Sequence, residues 1–208
     1  MARGHSSGPP RRRASRPDTR KQLLLFVEGA RTETDYFKHY HRLHRERVIV
    51  TIDEFHGGPV QLVDRAITAK KEQSYEARHG RGRPYDEIWC VFDVDDRPNW
   101  HDAVEQAAQG GIEVAVSNPC VELWFVLHYQ DQTAHIDRRQ AQKRAEALLR
   151  CSKVLTQQAL DSLTDRYADA VKRAVRLDEK HRKDGSPPRT NPSSDTWRLI
   201  DRIKNEGS

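Results

Sequence analysis

Short apolar runs separated by amphipathic stretches set the rhythm of this chain. Leu23-Leu24-Leu25-Phe26-Val27 is continuous and apolar, which predicts a strand buried on both faces. Thr32 is placed to cap a helix over about 33–45. Glu33 and Asp35 fall in its first turn, and Tyr36, Phe37, Tyr40 and Leu43 share its inner face. The β-branched stretch 48–52 reads as a second strand. Pro59 can open a helix whose face includes Val60, Val63 and Ile67. The polar stretch 73–85, with Gly80, Gly82 and Pro84, predicts a loop. A third strand follows over 86–92. A helix from Asn99 or Trp100 to Gly110-Gly111 comes next, then a fourth strand over 112–116. Asn118 as N-cap and Pro119 as first helical residue would begin a helix over 120–129.

Strand and helix in alternation predict an α/β fold, with a parallel sheet flanked by helices on both faces. The character changes near residue 130. Residues 137–150 and 156–182 read as long charged helices, 184–194 as a proline-rich loop, and 195–203 as a final amphipathic helix. The expected organisation is a disordered basic tail over 1–20, an α/β core over 21–130, and a helical region over 131–208 that packs on the core.

Composition sharpens this division. The chain has 208 residues, 32% of them charged and 36% apolar, so part of it lies outside a core. The net charge of +5 is unevenly placed. Arg3, Arg11, Arg12, Arg13, Arg16, Arg20 and Lys21 face Asp18 alone in the first 21 residues, which leaves the remainder near neutral. The tail, with Arg11, Arg12 and Arg13, is either a phosphate-binding arm or a solvated extension. It lacks the apolar stretch of a signal peptide. No run approaches the ~18 consecutive apolar residues of a membrane span. Cys90, Cys120 and Cys151 have neither zinc spacing nor a disulfide framework, which fits a reducing cytoplasm.

The chemistry concentrates at two strand ends. Glu28 closes the first apolar run, and Asp93-Val94-Asp95-Asp96 closes the third, Ile88-Trp89-Cys90-Val91-Phe92. In a parallel sheet both ends lie on the edge where ligands bind. Asp93 and Asp95 are two apart and point the same way while the chain stays extended. Together with Glu28 they make a hard oxygen set suited to Mg²⁺ or Mn²⁺. Glu28 can also serve as a general acid or base. Asp96 is a solvated or outlying member. Gly29 permits a tight turn beside the site. The alternative is plainer: acidic residues after strands also cap helices.

These residues carry a resemblance. Val27-Glu28-Gly29, followed by an acidic residue and a helix, and then Phe92-Asp93-Val94-Asp95, resemble the Toprim domain. The stretch from Phe26 to Phe37, the run Phe92 to Asp96, the run Ser117 to Tyr129 and the run Asn191 to Ser194 together resemble the motifs of RloB-like proteins, over about 22–203. The resemblance implies a Toprim-like fold and metal-dependent cleavage of nucleic acid, DNA or RNA, in bacterial phage defence beside an ATPase partner. Glu28 takes the acid/base position, and Asp93 and Asp95 the metal-binding positions. Pro98 departs from the pattern, because it ends any strand after Asp95.

Further candidates fall around this edge. Glu33 is either an additional ligand or a helix-dipole partner, and Arg31 either holds a phosphate or faces solvent. Glu122 sits in an otherwise apolar helix and needs a partner. His128 reads as a structural, helix-end histidine or an outlying site residue. His56-Gly57-Gly58-Pro59 is a plain turn or a phosphate contact. Arg138, Arg139, Lys143, Arg144 and Arg150 form a solvated helical face or track a nucleic-acid backbone. Three functions compete: a Toprim-type nuclease, a non-catalytic nucleic-acid-binding or sensing subunit, and a phosphatase that uses Asp93 as nucleophile.

Overall fold

In the computed structural model, which describes residues 19–29, 31–94, 99–152 and 154–204, one sheet organises the molecule. In chain order the elements are β1 (Lys21–Val27), α1 (Thr32–His44), β2 (Val48–Ile52), α2 (Pro59–Arg78), β3 (Glu87–Asp93), α3 (Trp100–Gly110), β4 (Glu113–Asn118), α4 (Val121–Leu127), α5 (Arg138–Leu149), α6 (Gln157–Asp165), α7 (Tyr167–Lys183), β5 (Ser193–Ser194) and α8 (Thr196–Lys204). The strand order is β2-β1-β3-β4-β5. The first four strands pair in parallel, and β5 lies antiparallel to β4. The fold is therefore α/β, with helices on both faces of a mostly parallel sheet.

Alternation along β1 shows why both faces must be covered. Leu23, Leu25 and Val27 enter one core with Tyr36, Trp124 and residues of α5 to α8, whereas Leu24 and Phe26 enter a second core with residues of α2 and α3. A strand buried on both sides has no polar position to spare, and that is its sequence signature. The helices after residue 130 share the first core with the sheet. Trp124 Nε1 donates to the Tyr36 hydroxyl at 2.8 Å and ties α4 to α1. Arg173 Nη1 donates to the Leu127 carbonyl at 2.7 Å and closes the C-terminal end of α4 from α7.

Several boundaries differ from expectation, each for a local reason. α2 continues through 73–78, which are adequate helix formers, and the chain turns at Gly80, whose φ of 72° favours glycine. The long helix expected over 156–182 breaks between α6 and α7, at Arg166. Two residues of the expected loop form β5: Ser193 and Ser194 pair with Asn118 and Ser117. Thr32 is the first residue of α1 and not its cap, which is Arg31 without a side-chain hydrogen bond. Cys120, and not Asn118, is the N-cap of α4, and Pro119 lies outside the helix. Among the described residues no helix is long and apolar enough to cross a membrane. Cys90, Cys120 and Cys151 are free thiols, the first two buried.

Candidate functional site

Register brings the two acidic strand ends together. β1 and β3 are neighbours, with Val27 beside Val91, and the Glu28 amide donates to the Val91 carbonyl at 3.0 Å. One step further the Asp93 amide donates to Glu28 Oε2 at 3.2 Å. Glu28 thus leans across the strand end onto Asp93. On the other side β4 ends at Asn118, and the chain turns into α4 beside the same carboxylate. The Val121 amide donates to Asp93 Oδ1 at 2.9 Å. Asp93 therefore caps α4 from across the sheet, in place of the absent side-chain cap at Cys120.

Two further carboxylates join from helices. The Glu33 carboxylate, in the first turn of α1, lies directly over Gly29, and a Cβ at position 29 would overlap it. A side chain at position 29 would therefore displace the Glu33 carboxylate from this place. Thr34 Oγ1 donates to the Gly29 carbonyl at 3.3 Å and closes that turn. Glu122 follows the first residue of α4. It lines an open cleft of about 310 Å³ with Gly29, Arg31, Glu33, Asp93 and Arg138, among others. Its Oε2 is buried and has no hydrogen-bond partner among the described residues.

The electrostatics are those of crowded acids. Burial, and then the charges of Glu33, Glu122 and Glu28, push the Asp93 carboxyl well above the usual carboxylate range. Burial also raises Glu33, with Glu122 and Glu28 adding to it against a backbone hydrogen bond that lowers it. Arg138, the first residue of α5, opposes both shifts, its Nη2 standing 3.9 Å from Asp93 Oδ2. Acids outnumber bases around the cleft, so it has the donors and the charge to suit a hard cation. Among the described residues, however, no three histidine, cysteine or acidic side chains are drawn together as a formed metal cage.

The raised Glu33 carboxyl has a consequence for stability. The unfolded chain ionises Glu33 at its ordinary acidity, near 4.5, while the folded chain resists. The contribution is whole below that pH and is lost as pH rises through the folded value. Glu33→Gln removes the loss. In chelator at pH 7 its unfolding free energy, from urea melts, should exceed that of wild type by on the order of 1 kcal/mol, the scale of one like-charge contact. The two should converge near pH 4.

Glu28, Glu33, Asp93 and Glu122 share the edge, and Arg31 stands on the cleft wall. Asp95, Asp96, Arg11, Arg12 and Arg13 lie outside the described residues. Asn118 lies on the far side of the α4 entry, its Nδ2 donating to the Arg189 carbonyl at 2.8 Å. His128 is 1% exposed, and its ring sits edge-on to Trp124 and Tyr36 in the core. It does not line the cleft. His56 is placed on the β2 side of the edge, its Nδ1 3.3 Å from the Val27 carbonyl. Arg138 stands at the cleft near Asp93, with its side chain part exposed. Its placement depends on how α5 docks, and a basic first-turn residue after a loop gives no sequence signal for that.

The family model described as RloB-like protein matches residues 23–203, most of the chain. No curated protein and no solved structure matches it.

Proposed function

From the premise that this chain belongs to the RloB-like family, we propose that it is a Toprim-type, Mg²⁺- or Mn²⁺-dependent nuclease that cleaves nucleic-acid phosphodiesters in bacterial defence, with an ATPase as partner protein. The observation that carries this reading is the meeting of Glu28 and Asp93 on adjacent parallel strand ends, with Glu33 and Glu122 closing around them. Asp93 would hold the cation with Glu122 and Asp95, and Glu28 or Glu33 would complete the oxygen set. A bound divalent cation would supply Lewis-acid stabilisation of charge on the phosphate. Glu28 Oε2 accepts from the amide of Asp93, which lines the cleft, and from there Glu28 would take a proton from attacking water or return one to the leaving oxygen. Its bond to the Asp93 amide fixes the carboxylate for that task. Arg31 and Arg138, on the cleft wall, would face the substrate phosphate.

A second reading keeps the nucleic acid and drops the chemistry. Asp93 already has a structural task as the cap of α4, which a non-catalytic binding or sensing subunit of an ATPase-containing complex would also need. The deciding experiment incubates the chain with plasmid, linear DNA and RNA in Mg²⁺, Mn²⁺ or chelator, with and without any copurifying ATPase. Cation-dependent cleavage supports the nuclease. Binding without cleavage in every condition overturns it in favour of the second reading.

A further inference from the structure

A second cleft opens on the other side of the α4 entry and shares Arg138 with the first. It measures about 460 Å³, and its lining includes Asn118, His135, Arg138, Arg139 and Asn191. One of its lining residues, Asn191, opens the carboxyl-terminal motif, which the cleavage chemistry leaves unused. Asn191 holds Ile136 at both backbone groups: its Nδ2 donates to the Ile136 carbonyl at 2.8 Å, and its Oδ1 accepts from the Ile136 amide at 3.0 Å. Arg189 is held in the left-handed region, φ 61°, by a 2.7 Å ion pair with Asp195. Its carbonyl receives the Asn118 amide group. These contacts fix the segment 135–139 against the sheet edge. Asp137, the acid among the described lining residues, is occupied as the cap of α5, accepting from the Gln140 amide at 2.8 Å. His135 and Arg139 are exposed, and Arg139 makes no ion pair among the described residues.

We propose that this second cleft is a nucleotide subsite in which His135, Arg138 and Arg139 take the phosphate adjoining the one at the carboxylates. The assignment rests on the nuclease reading for the role of the first cleft. A strand laid along the edge would cross from the carboxylates of Glu28 and Asp93, where phosphate needs the cation, to Arg138 and on to Arg139, where two arginines and His135 stand against the single described acid, Asp137. Asn191 is a positioning residue, acting through the backbone of Ile136. Phosphate recognition by arginine and histidine gives binding that falls with salt.

The test measures binding without chemistry. A fluorescein-labelled twelve-nucleotide single strand, as DNA and as RNA, is titrated with the full chain in chelator across a salt series. His135→Ala/Arg139→Ala should weaken binding at least about tenfold and flatten the salt dependence, by about 0.7 in log–log slope for each phosphate that is no longer neutralised. Lys143→Ala/Arg150→Ala removes exposed cations from the same helix and its end and should change binding less than threefold. Thermal melts and Mn²⁺-induced melting shifts of the first variant should match wild type. Equal weakening in both double variants, unchanged binding in the first, or no binding by wild type overturns the subsite. The two proposals separate: weakened binding in a chain that never cleaves sinks only the nuclease, and wild-type KM in a cleaving His135→Ala/Arg139→Ala chain sinks only the subsite.

Discussion

Glu28→Gln and Asp93→Asn should each yield a chain that folds as wild type does and cleaves at least about a hundredfold more slowly, the lower end of what a positioned acid or base contributes. The choice of substitution matters most at Asp93. Its Oδ1 accepts from the Val121 amide, so Asp93→Ala would remove a helix cap worth about 1 kcal/mol along with any ligand. Asparagine keeps an acceptor oxygen for the Val121 amide and replaces the other carboxylate oxygen, with the charge, by an amide NH2 that cannot ligate a hard cation. At Glu28, glutamine likewise keeps an oxygen for the Asp93 amide and removes the carboxylate that the nuclease reading needs as proton acceptor. Single-turnover cleavage of plasmid and RNA in Mn²⁺ reads the rate, and thermal melts read the fold. Wild-type rates in both variants would end the nuclease reading. Slow cleavage by Asp93→Ala alone would leave Asp93 as a cap and nothing more.

The legibility of this site follows from what the residues themselves encode. Leu23 to Val27 advertise a strand buried on both faces, and the alternation around it implies parallel neighbours; β1 and β3 are indeed adjacent. Glu28 and Asp93 can be paired because a parallel sheet puts every strand's carboxyl end on one edge. Glu122 stands out because a carboxylate inside an apolar helix must have a reason. Arg138 does not, because nothing local distinguishes it from Arg139 or Lys143 until α5 is docked. The cap of α4 is hidden for the same reason. Asn118 and Pro119 have strong local preferences for a helix start, yet a carboxylate far away in sequence takes the role. β5 is invisible because two serines carry no strand pattern; what holds them is pairing with β4 and the Ser117–Ser194 hydroxyl contact at 2.8 Å.

His128 gives the remaining large effect, and it lies wholly outside the cleft. Its Nδ1–H donates to the Trp124 carbonyl at 2.8 Å, while Nε2 is buried without a hydrogen-bond partner among the described residues. Burial pushes the imidazole down to about 3, against the hydrogen bond to the Trp124 carbonyl, and the positive charges of Arg173 and Arg166 add smaller depressions. The folded chain keeps His128 neutral at pH values where the unfolded chain, with an ordinary histidine near 6.5, already binds the proton. The contribution is therefore whole above about 6.5 and is lost progressively as pH falls toward 3. By about pH 4.5 the loss is on the order of 2–3 kcal/mol, since roughly two units of separation are then expressed. His128→Phe abolishes it. The variant gives up one hydrogen bond and relieves one unpaired ring nitrogen, so at about pH 7 it should lie within about 1 kcal/mol of wild type. Urea melts at about pH 7, 5.5 and 4.5 should then show the variant gaining steadily on wild type. The crowded carboxylates have the opposite pH dependence but are common to both chains and cancel in the difference. A constant gap across that range would mean that His128 is protonated in the folded core and that its second nitrogen has a partner.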